Sequence, residues 1–302
     1  MGQHHNHSDR HEVSGKNLSI SIILNVLVTI AQLVGGLVSG SLSLVSDAVH
    51  NFSDVLSLGI SFFANRLAKR KASTNKTFGY KRAEIIAAFV NSATLMVVSI
   101  FLIIEALERF FKPQEVASNW VIWLSILAIL VNGLSVLLLK KDSEANMNMR
   151  SAYLHLFTDM MASIAVLIGG ILMKYYAIFW IDPALTLLIA FYLIYVGYDL
   201  LKESTKVLML FTPKAIEVQE IVSNILEIEG IKNVHHVHIW QLNEEEIHLE
   251  AHIDFKNDIR LSQFDRVLGE IEKMVYHKHG INHLNIQPEY GKCDSKKIIV
   301  QD

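Results

Sequence analysis

The chain has 302 residues, of which 51% are hydrophobic and only 19% charged, with a formal net charge of −3 and a mean hydropathy of +0.33. A soluble globular chain carries about 25% charged residues, so this balance excludes an ordinary soluble enzyme, and a chain this apolar is not disordered. The mildly acidic charge excludes a globally basic nucleic-acid binder, and the single cysteine, Cys293, excludes an intrachain disulfide framework and any all-cysteine metal cluster, which leaves fourteen histidines to be explained.

Residues 1–16 form a polar tail rich in histidine (His4, His5, His7 and His11), a composition that gathers metal ions weakly without a fixed site. Six apolar stretches follow, at 17–39, 42–65, 85–104, 119–139, 151–173 and 178–199. Each is about 20 residues or slightly more, the length a helix needs to cross ~30 Å of hydrocarbon. The first is expected to be a membrane helix rather than a secretory signal. Asp9 and Glu12 precede it, no small-residue cleavage site follows, and the apolar run is too long. A transmembrane domain of six helices is therefore predicted over 17–204.

Basic residues orient the spans. Arg66, Lys69, Arg70, Lys71, Lys76, Lys81 and Arg82 lie between the second and third, and Lys140, Lys141 and Arg150 between the fourth and fifth. The loops on the other side are nearly bare, so by the positive-inside rule both termini are cytoplasmic. From about 205 the apolar runs shorten. Helical periodicity at 214–228 ends at Gly230, strands are expected at 231–242 and 246–255 around a turn at Asn243-Glu244-Glu245, a second amphipathic helix at 262–278 and a last strand at 283–288. The order α-β-β-α-β predicts a cytoplasmic ferredoxin-like α+β domain over 205–290, followed by a flexible tail over 291–302.

Ionisable groups in a bilayer are costly, so their positions inform. The second span carries Asp47, His50 and Asp54, the fifth carries His155 and Asp159, and the sixth has Asp182 near its outer end. The two clusters repeat one pattern, Ser46-x-x-x-His50-x-Phe52-Ser53-Asp54 and Ser151-x-x-x-His155-x-Phe157-Thr158-Asp159. Spacing i, i+4 puts imidazole and carboxylate on one helix face. If the faces meet, two nitrogens and two oxygens converge, a set suited to tetrahedral Zn²⁺. The alternative for each pair is a local hydrogen bond, but two matching pairs placed in lipid for packing alone would be a poor use of stability. Asp47 is either an outer partner of the ligands or a water-exposed residue of a pathway. Asp182-Pro183 is read as the start of the sixth helix. Asn25, Gln32, Asn91 and Asn132, with Gly35-Gly36 and Gly169-Gly170, are read as interhelical contacts.

The soluble part carries His235, His236, His238, His248, His252, His277, His279 and His283. Strict strand alternation would place His236 and His238 on one face, His235 with Val237 and Ile239 on the other, and His248 with His252 on one face of the next strand. Their pairing into metal sites is left open by spacing. His277 and His279, ending a helix, suit its dipole.

These residues resemble the cation diffusion facilitators, specifically the zinc-exporting branch with bacterial CzcD-like proteins and the animal zinc transporters. The matching segments are Gly40-Ser41-Leu42 leading into Ser46-Asp47-Ala48-Val49-His50-x-x-x-Asp54, then Phe78-Gly79-Tyr80-Lys81-Arg82-Ala83-Glu84, His155-x-x-x-Asp159, Asp182-Pro183, and Val234-His235-His236-Val237-His238-Ile239-Trp240. The resemblance spans about residues 17 to 290. It implies a homodimer in the cell (inner) membrane, joined largely through the cytoplasmic domain, that exchanges cytoplasmic Zn²⁺ for protons by alternating access. It implies His50, Asp54, His155 and Asp159 as the transport site. It maps cytoplasmic metal sites, with Zn²⁺ as a regulatory ligand, to His235, His252 and the Gln287–Glu289 region, including Glu289, with His283 nearby; Phe264 stands where the family has a further histidine. A family loop site is expected to be absent, because Thr74-Asn75-Lys76-Thr77-Phe78-Gly79-Tyr80 has no histidine or carboxylate. Arg82 can replace the basic member of a family interlock, whose acidic partner falls at Met209, with Glu203 as a substitute.

The mechanism then expected is metal binding to deprotonated ligands with loss of protons, reorientation, and release as returning protons reach the histidines, whose ordinary pKa of about 6.5 suits that exchange. A membrane-anchored metal sensor is the rival; it would need no ligands at mid-membrane. An intramembrane metalloenzyme is disfavoured, since four protein ligands close the site and no H-E-x-x-H occurs.

Overall fold

The computed structural model describes residues 8–68, 70–143, 147–243, 246–293 and 295–300. His4, His5, His7, Lys69, Glu244 and Glu245 lie outside the described residues, as do the side chains of His11, Lys141, Arg150 and Ser151. Six long helices come first: α1 (Ser8–Ser39), α2 (Leu42–Ala68), α3 (Ala83–Phe111), α4 (Ser118–Ser143), α5 (Met147–Tyr176) and α6 (Ile181–Leu208). Then follow α7 (Val218–Leu226), β1 (Ile231–Gln241), β2 (Ile247–Phe255), α8 (Leu261–His279) and β3 (His283–Glu289). The expected order of six helices and then α-β-β-α-β is the observed one. α1 begins at Ser8 rather than at 17; residues 8–16 contain no proline, and the single Gly15 costs only about 1 kcal/mol in a helix, too little to end it there.

Five helices, among the described residues, hold spans long and apolar enough to cross a membrane: Ile20–Ser39, Ala83–Phe111, Ser118–Lys140, Tyr153–Tyr176 and Ile181–Leu208. α2 is as long, with 27 residues, but it is the helix that carries Asp47, His50 and Asp54. The chain divides into two compact units, one holding residues up to 62 and 90–201, the other 63–89 and the chain from 202 onward.

The first unit is apolar outside and polar inside. Leu37, Trp123 and Leu188 are 70%, 70% and 67% exposed, whereas Ser43, Ser46, Ser92, Ser125, Ser135 and Ser163 are fully buried. That inversion suits lipid as solvent, where helices associate through small and polar residues. Gly35 lets α1 approach α4: a Cβ there would lie 1.9 Å from Leu124 Cδ1. Gln32 of α1 donates to Asp47 Oδ2 at 2.6 Å and accepts from Asn51 at 3.2 Å, and Asn91 of α3 donates to Ser53 of α2 at 3.3 Å, so Gln32 and Asn91 are the interhelical contacts expected.

Asp182 does more than begin α6. Its carboxylate, fully buried, accepts from the Leu42 N–H at 2.8 Å, the Ser43 N–H at 3.3 Å, and the hydroxyls of Ser41 and Ser43 at 2.5 and 2.6 Å. It caps the N-terminus of α2 from another helix, supplying the negative charge that orphan N–H groups attract. This fixes the start of the helix that presents His50 and Asp54.

In the second unit the sheet order is β1-β2-β3. β1 and β2 are antiparallel, β2 and β3 parallel, and the parallel join is possible because α8 supplies the crossover. Ile221, Val222 and Ile225 of α7 and Phe264, Ile271 and Val275 of α8 pack on Val234, Val237, Ile239, Leu249, Ala251 and Ile253. Phe264, the position where the resemblance implied a further histidine, is thus a core residue. The helices cover one sheet face and leave the other to polar side chains. The segment 63–89, the end of α2, the connecting loop and the start of α3, belongs with this unit: Lys81 pairs with Glu246, and the Phe78 ring meets His248 edge-on at 6.1 Å. Glu203, expected to stand in for the acidic partner of Arg82 that Met209 cannot supply, is engaged by Lys206 at 3.1 Å and Lys214 at 2.5 Å. The segment after β3, expected to be flexible, is pinned to β1 by N–H groups of His236 and Val237, which donate to Lys297 and Ile298 carbonyls at 3.2 and 2.8 Å.

Candidate metal centres

The i, i+4 pairs of α2 and α5 face each other. His50 Nδ1 lies 3.5 Å from Asp54 Oδ2 and its Nε2 3.5 Å from Asp159 Oδ1. His155 Nε2 lies 3.2 Å from Asp54 Oδ2 and 3.7 Å from Asp159 Oδ2. The two imidazoles meet edge-on, 5.9 Å between centroids. Ligand atoms each about 2.0–2.1 Å from a tetrahedral Zn²⁺ stand about 3.3 Å from one another; these nitrogen–oxygen contacts match that spacing pair by pair, while among the described residues only His235, His252 and Glu289 bring one donor atom each within 4.8 Å of one another. The His50 ring touches one carboxylate with each nitrogen, and only one of these can face an ion. Asp159 is buried, its side chain 1% exposed, and its oxygens have no hydrogen-bond donor among the described residues beyond these imidazoles. A carboxylate so placed is stabilised by a cation.

Asp47, one turn before His50, is held elsewhere, by Gln32 at 2.6 Å and Ser163 at 3.5 Å. It ties α1, α2 and α5 together beneath the cluster and is 1% exposed, which does not fit a water-exposed residue of a pathway. Tyr192 of α6 meets the His50 ring edge-on at 5.9 Å. Sequence reasoning missed it, since a tyrosine in an apolar span carries no motif.

A second cluster occupies the polar face of the sheet. His235 Nε2 is 3.3 Å from Glu289 Oε2, and His252 Nδ1 is 3.0 Å from Glu289 Oε1. Donor atoms of these three residues all lie within 4.8 Å of one another. Asp254 Oδ2 is 3.6 Å from His235 Nδ1. Burial holds the His252 pKa below its ordinary value, with Glu289 opposing and the neighbouring His236 and His235 adding to it, so the imidazole is neutral and fit to coordinate. This set suits a divalent metal that accepts imidazole and carboxylate.

The expected alternation fails at one place, beside the cluster. Val234 pairs with Ile253 and His235 with His252, but the next pairing is His238 with Glu250. His236 and Val237 thus face Ala251 alone, a β-bulge with His236 at φ +51°. Val234, Val237 and Ile239 all enter the core, whereas His235 turns to the polar face. The expectation that His235 shares a face with Val237 and Ile239 is corrected. His236 stacks on His252 at 4.5 Å and meets His238 at 4.9 Å, so those two do stay together.

His283 is also corrected. It pairs in register with His248, their rings 4.3 Å apart, and lies six strand positions, roughly 20 Å, from Glu289. Position 287, beside His252, is Gln287, whose amide donates to Glu289 at 2.8 Å. Three of the four expected residues, His235, His252 and Glu289, come together; His283 belongs to a separate pair.

Comparison with known proteins agrees with the architecture. Residues 18–209 match the family described as cation efflux transmembrane domain, and 213–290 the family described as cation efflux protein, cytoplasmic domain. The chain is 38% identical over 290 residues to the cadmium, cobalt and zinc/H(+)-K(+) antiporter of Bacillus subtilis (strain 168), covering 94% of this chain and 91% of that protein. It is 33% identical to the metal cation efflux system protein CzcD of Cupriavidus metallidurans over 97% of this chain and 92% of that one. It is 35% identical to the zinc transporter ZitB of Pectobacterium atrosepticum over 96% and 90%. With both halves of the chain matched and relatives covered nearly end to end, the protein belongs to the cation efflux family, on the CzcD and ZitB branch, and is a multi-pass membrane transporter of metal cations rather than an enzyme.

Proposed function

We propose that the protein expels Zn²⁺ from the cytoplasm in exchange for protons, through His50, Asp54, His155 and Asp159. The observation that carries this reading is the convergence of two imidazoles and two carboxylates from α2 and α5 at 3.2–3.7 Å. A donor set of two imidazole nitrogens and two carboxylate oxygens favours Zn²⁺ over the oxygen-preferring Mg²⁺ and Ca²⁺. The similarity to the cadmium, cobalt and zinc/H(+)-K(+) antiporter of Bacillus subtilis supports proton exchange.

The cycle follows from ligand chemistry. Facing the cytoplasm, the site binds Zn²⁺ when its imidazoles are neutral and its carboxylates ionised. Reorientation of α2 and α5 exposes it to the other side. Protons arriving there reach the histidine nitrogens and the carboxylates, the donor set loses its lone pairs, and the ion leaves. Both termini are assigned to the cytoplasm, on the loop charges, and the C-terminal unit joins two copies as a homodimer in the cell membrane. His235, His252 and Glu289 would hold a regulatory Zn²⁺ there, supplying a structural crosslink between the three strands.

Proteoliposomes with an imposed proton gradient and a trapped zinc dye test the reading. Gradient-driven zinc flux is expected in the wild type and abolished in Asp54→Ala and Asp159→Ala. Wild-type flux in either variant, with the protein folded, refutes the assigned site; tight zinc binding by a wild type that moves no zinc favours a sensor.

A further inference from the structure

The cluster of His235, His252 and Glu289 already faces a cation. Lys296 Nζ lies 3.0 Å from Asp254 Oδ1, 3.2 Å from Glu289 Oε2 and 3.4 Å from His235 Nε2. An ammonium has three protons and no acceptor, and here three acceptors from three strands meet it. Lys292 Nζ, 2.6 Å from Glu289 Oε1, adds a second positive charge on the same carboxylate. Glu289 therefore has Lys296 on one oxygen, and Lys292, the Gln287 amide and His252 on the other.

The backbone explains why Lys296 arrives there. The bulge at His236 and Val237 takes both N–H groups out of the β1–β2 ladder, and the tail captures them through the carbonyls of Lys297 and Ile298. Ile298, half-buried, packs against the core beside them. Lys296 is the residue before this anchor, and its side chain is delivered to the cluster.

We propose that Lys296 is a tethered competitor for the metal position: a divalent cation enters the His235–His252–Glu289 cluster by displacing the Lys296 ammonium, and that displacement loosens residues 295–300 from β1. The proposal rests on the reading of this cluster as a metal site. A group held by a short tether competes at millimolar effective concentration, so the lysine raises the metal concentration at which the cluster fills. The anchor is small, two backbone hydrogen bonds and one half-buried isoleucine, so a divalent ion held by the His235, His252 and Glu289 donors can overcome it. The device makes the C-terminal unit respond to a surplus of metal and gives the response a structural output, the released tail.

The test uses the full chain in detergent, in an Asp159→Ala background that silences the transport site, titrated calorimetrically with Zn²⁺ alone. His252→Ala is expected to remove one binding event, and Lys296→Met to tighten that event about tenfold or more. Lys296→Arg keeps the charge and stays near the parent. Amide exchange supplies a second readout. In the parent, saturating zinc should speed exchange at His236 and Val237 about tenfold, and in Lys296→Met these amides should exchange fast without zinc. An event lost in His252→Ala but equally tight or weaker in Lys296→Met overturns the competitor and leaves the metal cluster standing. An event indifferent to His252→Ala overturns the cluster, and the competitor with it. Binding seen only in Lys296→Met supports the proposal; binding in neither overturns both.

Discussion

Asp159→Asn changes one charge at the centre of the first unit and little else. Asparagine keeps the volume and one carbonyl oxygen, so the packing of α5 survives. At about 2 Å, an ordinary zinc–oxygen distance, a unit negative charge attracts a divalent ion by about 4 kcal/mol even with the dielectric of water. That is about a thousandfold in Kd. It is a floor, because the Asp159 side chain is only 1% exposed and the interior screens less than water. The desolvation of the carboxylate does not offset it, since Asp159 is buried before any ion arrives. Dehydration of the ion is common to both proteins and cancels.

The assay is zinc titration of the full chain in a His252→Ala background, paired with flux in proteoliposomes. Zinc affinity should fall at least about a thousandfold in Asp159→Asn and flux should vanish. Asp54→Asn should lose less, because its side chain is 34% exposed and better screened. Ser163→Ala, which touches Asp47 at 3.5 Å and not the cluster, should stay within about threefold. A loss below tenfold in Asp159→Asn, with thermal unfolding unchanged, would refute the claim that this carboxylate holds the ion.

Asp182→Ala removes the acceptor of four hydrogen bonds at the start of α2; breaking a buried charged network costs about 3–5 kcal/mol, so its unfolding midpoint in detergent should fall well below that of wild type. Gly169→Leu forces a Cβ within 2.6 Å of Leu185 Cδ1, an overpacking that costs about 1–3 kcal/mol and should lower the same midpoint, while Gly269→Leu, where a Cβ meets nothing, should not. His248 gives a pH dependence. Burial pushes its pKa below the ordinary value, with His283 and Lys81 adding to the shift and Glu246 opposing it. The unfolded histidine takes a proton near pH 6.5 that the folded one resists, so this contribution to stability is full above about 6.5 and is lost as pH falls toward the lower folded pKa. Unfolding of chelated protein between pH 7.5 and 5.5 should show a shallower decline in His248→Gln than in wild type; equal slopes would refute the assignment.

The membrane half was legible because its signals are local. Apolar length marks a span, and i, i+4 spacing marks a shared face, so His50 with Asp54 and His155 with Asp159 could be paired within each helix from the chain alone. That the two faces meet was inferred from the repetition of the pattern and the cost of burying it, and the distances agree with it. What stayed hidden depends on partners far apart in sequence. Nothing in Asp182-Pro183 signals that its carboxylate caps α2, whose first residue lies 140 positions earlier. Tyr192 reaches His50 only through the packing of α6 on α2.

In the sheet, one inserted residue decides the outcome. Alternation is a rule of period two, and a bulge breaks the count without any mark in Val234-His235-His236-Val237-His238. Because Val234 and Val237 both belong in the core, the chain must spend one extra residue between them, and His236 absorbs it at φ +51°. That leaves the N–H groups of His236 and Val237 for the tail. The irregularity therefore recruits the lysine that faces the ligands. The two are separable: deletion of His236 would restore regular alternation with Val234, Val237 and Ile239 still in the core and His235 still opposite His252, but it would return the Val237 N–H to the β1–β2 ladder and unseat Lys296.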